Sequence, residues 1–197
     1  YLFYISVLTM FVGNLIAIGQ NSLKRMLAAS GIVHSGYLII ALVAINSEQF
    51  NGSTILFYLA AYAASTLGIF AALSYLGGEG EKRNSFDDFN GLAKVRPYSA
   101  ACIAIFLLSM AGIPPTAGFM GKFYIIAGAF KGGYISLGVL GIISSILSMW
   151  YYLRLIIVMY FREPKEDFGV SELQLAPLGT FVLALSVFAI SFIPVVI

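Results

Sequence analysis

A chain of 197 residues that is 60% hydrophobic and only 10% charged, with a mean hydropathy of +0.93, cannot dress an ordinary water-facing surface, for which about a quarter of residues are charged. The net charge of +2 is too small to point to a nucleic-acid partner, and the single cysteine, Cys102, lies in an apolar run and offers no disulfide framework or cysteine metal site. The natural unit of reading is the membrane span, roughly 20 mostly apolar residues.

The first span covers about residues 2–19 and stops at the polar run 20–25, which carries Lys24 and Arg25. Tyr1 opens inside apolar sequence with neither an initiator Met nor a basic segment ahead of it, so no signal peptide is read, and an N-terminal part is expected to lie outside this chain. A second span runs over about residues 26–45, followed by the polar loop 46–53, and a third over about 54–76. The loop 79–96 then gathers four basic and four acidic residues. The stretch 97–130 is taken up below. Further spans are predicted over about 134–161 and 175–197, with the loop 162–172 between them. None of these stretches alternates with period two over about ten residues, so a barrel is disfavoured. The fold class predicted is all-α, a polytopic transmembrane helix bundle.

Within 97–130, about 16 apolar residues precede Pro114 and Pro115, and about 14 follow Thr116. At 1.5 Å per residue each piece reaches only ~20–24 Å, against ~30 Å for the hydrocarbon core. Together they make one crossing with a break. The prolines remove backbone donors and disfavour helix in the residue before them, and Gly112, Gly118 and Gly121 are expected to loosen both sides. Such breaks are tolerated in membranes only where the freed backbone groups meet protein or water. Loop charges support the single crossing. It places Lys24, Arg25, Lys82, Arg83, Lys94, Arg96, Arg162 and Lys165 on one side and only Lys131 on the other. By the positive-inside tendency the basic side is cytoplasmic. About six crossings result.

All nine acids fall in predicted loops. Arg154 is about two turns from a span end and can snorkel to the basic surface. His34 and Lys122 remain deep, Lys122 roughly 13 Å inside the outer end of its helix. A lysine there costs at least ~2.5–3.5 kcal/mol on insertion scales and is a functional candidate by default. The alternative is a lysine that caps the broken helix or pairs with an acid elsewhere. His34 reads either as a satisfied packing residue or as a proton relay. Tyr58, Tyr62 and Thr66 share one helix face, and so do Ser144, Ser148 and Tyr151. Such hydroxyls line a water file or hydrogen-bond neighbouring helices. Lys24 at a helix end is most simply an orientation signal. No nucleotide-binding loop, metal-ligand cluster or catalytic triad is read in the chain.

Two motifs carry a resemblance. The run Asn21–Tyr37, NSLKRMLAASGIVHSGY, resembles the signature NLKRxLAYSSIxHxGY of the antiporter-like membrane subunits of proton-pumping NADH–quinone oxidoreductase, respiratory complex I, with Ala29 where that family commonly has Tyr. Gly112–Tyr124, GIPPTAGFMGKFY, matches the family's broken-helix motif, and Met149–Arg154, MWYYLR, is also similar. Within the family, subunit N (subunit 2 in mitochondria) fits best, because the larger relatives carry His, His and Lys where Tyr58, Tyr62 and Thr66 stand here.

The resemblance implies that residues 1–197 form a single transmembrane domain, the second of two inverted five-helix repeats plus a terminal helix. It also implies a proton-translocating subunit of an NADH:quinone oxidoreductase in an energy-transducing membrane, most simply a bacterial inner membrane. Lys122 would be the broken-helix lysine on the exit side of the proton path, with His34, Tyr58, Tyr62, Thr66, Ser144, Ser148 and Lys24 as further path residues. The family's charged residues on earlier helices would fall before Tyr1. No cofactor is implied in this chain; NADH, flavin, iron–sulfur clusters and quinone belong to partner subunits. The implied partners are the other membrane subunits, the bilayer, protons and water. Multi-subunit cation/proton antiporters and membrane-bound hydrogenases share both motifs and form the alternative reading. A purely structural membrane subunit is the third.

Overall fold

The computed structural model describes residues 1–45, 52–77, 83–164 and 176–191. Its helices are α1 (Leu2–Ile18), α2 (Leu23–Ala44), α3 (Gly52–Gly77), the short α4 (Leu92–Val95), α5 (Pro97–Ala111), α6 (Ala117–Lys131), α7 (Ile135–Phe161) and α8 (Ala176–Ser191), with one 3₁₀ turn at Phe86–Phe89. No strand occurs among the described residues. The outer loop at 46–51, Lys82, Lys165 and the end of the last predicted span lie outside them.

Three helices, α2, α3 and α7, are each long and apolar enough to cross a bilayer alone. The 17 residues of α1 sit at the short end of the spanning range, and α5 and α6 share one crossing. The second span begins three residues earlier than its apolar run suggests. Ser22 caps α2, its Oγ accepting from the Arg25 N–H at 3.4 Å, so Leu23, Lys24 and Arg25 form the first turn.

Bilayer hydrocarbon is as apolar as a leucine side chain, so helices associate here through close packing and hydrogen bonds. The α1–α2 hairpin shows both. A Cβ on Gly36 would collide with Met10, and Ser6 Oγ donates to the Gly36 carbonyl at 3.0 Å. On the outside, Leu8, Leu56, Ile146 and Trp150 are exposed, an apolar surface suited to lipid or to neighbouring membrane helices.

The loop predicted at 79–96 is more ordered than its charges suggest. Phe86, Phe89 and Leu92 recur at threefold spacing and are buried, which folds the described part of this loop into a cap over the bundle end. The cap gathers the other described segments at that end. Leu23 N donates to Asn84 O at 2.7 Å and Gly91 N to Val158 O at 3.1 Å. Lys94–Glu163 and Arg162–Asp87 pair at 2.6 and 2.8 Å, and the Arg154 guanidinium lies 4.3 Å from the Phe86 ring centre. Lys24, Arg25, Arg83, Lys94, Arg96 and Arg162 therefore share one end of the bundle, whereas Lys131 closes α6 at the other. The interruption expected between residues 111 and 118 is present: α5 stops at Ala111 and α6 starts at Ala117.

Beside a small cluster of Phe57, Ala61 and Ala117, two apolar half-cores form among the described residues. One, toward the basic end, contains Leu76, Phe86, Phe89, Phe106, Tyr152 and Met159. The other contains Met10, Tyr37, Ile40, Tyr58, Ile125 and Leu137. The deep polar residues lie where the two meet.

Candidate functional site

The break is sealed group by group. Gly112, at φ +80°, ends α5 in the left-handed conformation that glycine adopts without strain. Its N–H donates to Ser109 O and the Ile113 N–H to Leu108 O, both at 3.0 Å. This is a Schellman ending, which satisfies two of the four carbonyls an α-helix leaves free. Met110 O and Ala111 O remain, and Lys122 takes them. From one turn inside α6 its Nζ donates to Met110 O at 2.8 Å and Ala111 O at 3.3 Å, with Ser145 Oγ of α7 at 3.5 Å. Ser145 itself donates to Ala111 O at 3.4 Å. Lys122 is 3% exposed, and no ion pair to it occurs among the described residues. The negative end of the α5 dipole supplies the complementary potential.

On the other side of the break, Thr116 caps α6 by accepting from the Phe119 N–H at 3.4 Å. Ser109 Oγ accepts from the Gly118 N–H at 3.2 Å and from Ser65 Oγ of α3 at 3.0 Å. Gly118 and Gly121 serve close approach: a Cβ on Gly118 would run into the Ser109 carbonyl, and one on Gly121 into Tyr58. Pro114 and Pro115, joined by a cis peptide bond, are exposed on the outside of the break.

From Lys122 a layer of aromatic and polar side chains crosses the bundle. Its ammonium stands 5.1 Å from the Tyr37 ring centre, and the Tyr37 hydroxyl donates to Gly141 O at 2.7 Å. Tyr37 lies 6.5 Å from His34 and 6.4 Å from Tyr58, ring to ring. His34 Nδ1 is 2.6 Å from the Tyr58 hydroxyl and Nε2 is 3.3 Å from that of Tyr152; in a neutral imidazole one nitrogen donates and the other accepts. Tyr62 stacks on the imidazole at 4.4 Å.

The structure thus brings together Lys122, His34, Tyr58 and Tyr62. Ser144 joins them through Tyr37, whose side chain it hydrogen-bonds, while also accepting from Asn14 Nδ2 of α1 at 2.8 Å. The others stand apart. Ser148 donates within its own helix to Ser145 O at 2.8 Å. Thr66 Oγ1 is buried without a hydrogen-bond partner among the described residues. Lys24 stands in the first turn of α2, ten residues before His34, or ~15 Å along the axis. Sequence reasoning passed over Tyr37, Tyr152, Ser145 and Asn14. Tyr37 ends the quoted motif, and an Asn deep in an apolar span was a signal left unused. Ser145 and Tyr152 each sit one position beyond a chosen residue, and that step is 100° of helix rotation.

The class so defined is a polytopic membrane protein built on a discontinuous helix, the arrangement in which transporters place their sites. Residues 1–148 match the family model described as NADH:quinone oxidoreductase/Mrp antiporter, transmembrane. The chain belongs to that family. It is 40% identical over 193 residues to NADH-quinone oxidoreductase subunit N of Bdellovibrio bacteriovorus, covering 96% of this chain and 40% of the relative. It is 46% identical over 177 residues to subunit N 1 of Solibacter usitatus, covering 90% and 36%. A chain of respiratory complex I from Thermus thermophilus superposes with a TM-score of 0.85 at 31% identity, over 98% of this chain and 43% of that one. A chain of the Mrp complex from Dietzia sp. shares the fold, with a TM-score of 0.84 at 20% identity over 96% of this chain and 43% of its own length. The chain spans about 40% of the length of the first of these relatives.

Proposed function

We propose that this chain carries part of a transmembrane proton path in the membrane subunit N of a proton-translocating NADH:quinone oxidoreductase. The observation that carries the reading is the placement of Lys122. An amine buried at mid-depth has neutral carbonyls and a hydroxyl for partners, and adjoins a layer of groups that donate and accept hydrogen bonds, Tyr37, Tyr58, His34 and Tyr152. A charge held only by neutral dipoles can be given up and regained as neighbouring charges change.

Residues 1–197 serve as one transmembrane domain, the second inverted repeat with its terminal helix. Electron transfer from NADH through flavin and iron–sulfur clusters to quinone takes place in partner subunits, and this chain holds no redox group. Its neighbours are the other membrane subunits, lipid, water and protons. Its home is a bacterial cell membrane with the basic end inward. The subunit N relatives and the complex I likeness support this reading.

The test is proton uptake by inverted vesicles containing the assembled complex. Lys122→Met is expected to keep NADH-driven quinone reduction and to lower proton uptake severalfold. Lys122→Arg, which stays charged, is expected to do no better. The bonds to Met110 O and Ala111 O favour a second reading, in which the ammonium is only a cap for α5. Arginine donates to carbonyls as well as lysine does, so full-rate pumping by Lys122→Arg would overturn the relay and leave the cap.

A further inference from the structure

Between α6 and α7 a cavity of about 320 Å³ opens on the outward face of the bundle. Its walls are apolar, formed chiefly by Phe119, Phe123, Ile126, Phe130, Ile142 and Ile146, and its polar side chains are Lys122 and Ser145. Phe123 and Ile146, 53% and 61% exposed, form the mouth, while Lys122 lies at the floor. The volume is within the range of small-molecule sites, roughly 300–1,000 Å³. A lysine ammonium has three N–H donors. Two reach the α5 carbonyls at 2.8 and 3.3 Å, and the third has Ser145 Oγ at 3.5 Å, beyond good hydrogen-bond length, and the Tyr37 ring at 5.1 Å.

We infer that this groove is a binding site for a long-chain fatty acid, with its carboxylate on Lys122 Nζ and its alkyl chain along the Phe123–Ile146 wall. Charge selects the anionic end, since no carboxylate faces Lys122 among the described residues. The route selects the acid over a phospholipid. The mouth opens at the depth of the hydrocarbon core, where a permanently charged phosphate is costly to bring, whereas a carboxylic acid travels there uncharged. The two N–H bonds to the α5 carbonyls are ones an amine also makes; at the floor the acid O–H bond breaks, its proton becomes the third N–H on Nζ, and that N–H faces the carboxylate so formed. Single-ended ligands suit a single cation. The site stands on the cavity and does not require Lys122 to carry protons in turnover.

The experiment is photolabelling of the purified, assembled membrane complex with a diazirine-bearing palmitic acid, with labelled peptides mapped by mass spectrometry. Labelling is expected on the peptides of α6 and α7. Lys122→Met should lower it by about tenfold, the worth of one charge-assisted hydrogen bond. Ile146→Trp should lower it comparably by filling the mouth without touching the lysine. Where Lys122→Met fails to assemble, Ile146→Trp decides. The matching diazirine alcohol should label the same peptides weakly. Equal labelling by acid and alcohol would show a groove open to any alkyl chain and overturn the inference. So would stronger labelling by a diazirine phosphatidic acid, indifference to Ile146→Trp, or an unlabelled groove covered by a neighbouring subunit.

Discussion

Lys122 and the last turn of α5 hold one another, and only half of that relation is written in residue types. The depth of the lysine is legible: the Pro114–Pro115 break and the loop charges fix one broken crossing, and counting back from Lys131 gives the depth. Its partners are not legible. They depend on Gly112 turning left-handed, which ties up Leu108 O and Ser109 O and leaves the next two carbonyls for the ammonium. His34 is similar. Tyr58 and Tyr62 follow from a one-face pattern on α3, but Tyr152 and Ser145 depend on how α7 is rotated about its axis. The small residues at the break carry a sharp expectation. Gly118→Ala drives a Cβ into the Ser109 carbonyl, and overpacking of that kind costs about 1–3 kcal/mol or more. Gly179→Ala meets nothing within 4 Å. In heating curves of the solubilised protein, Gly118→Ala should melt clearly lower and Gly179→Ala should match the parent. Equal melting would mean that α6 does not press on α5 as described.

At the scale of elements, five helical stretches followed their apolar runs closely because length and composition decide them in a bilayer. The cap did not follow its composition. Eight charges mark residues 79–96 as a loop, yet Phe86, Phe89 and Leu92 bury themselves against the bundle end. The first turn of the cap is held by Asp88, whose Oδ2 accepts from the Ser85 and Asn84 N–H groups at 2.7 and 2.9 Å. Burial alone would raise this carboxyl. The two N–H bonds, the Ser85 side chain and the nearby Arg83 together outweigh it and hold Asp88 below its usual 3.8. With the folded value depressed, its stabilisation is present above pH ~4 and fades as pH falls through the lower folded value. Asp88→Asn should remove that dependence and cost a few tenths to about 1 kcal/mol, the side chain being largely exposed. Amide exchange at Asn84 and Ser85 reads this directly. Both should exchange faster in Asp88→Asn near neutral pH, and unchanged protection would contradict the assignment.

For the whole molecule, the described ends of α1, α3 and α7 and the starts of α2 and α5 meet under one cap, and Lys131 lies opposite. Single cysteines at Ser22, Ser85 and Glu163 should therefore label from one face of a sealed vesicle and a cysteine at Lys131 from the other, with Cys102 silent because it is buried. If Lys131→Cys labels with the other three, the broken crossing is wrong. The bundle and the sharing of one end by its described basic loop residues were legible because the bilayer restricts a chain to few solutions. The layer between the two half-cores was not, since it is assembled from side chains on four helices whose rotations no single segment encodes.

The depth of Lys122 has an electrical consequence. Nine residues separate it from Lys131, ~13 Å at the helical rise, a little under half of a ~30 Å core. An energised membrane is a charged capacitor, and its field falls across that core. Carrying one charge through the whole of it is worth ~2.3 kcal/mol per 100 mV. On the proposed role, a proton reaching Lys122 from the Lys131 side would exchange ~1 kcal/mol of electrical work per 100 mV with the field, roughly a fivefold change in how often the site is filled. A lysine at the surface would barely register the voltage; one at the break reads nearly half of it.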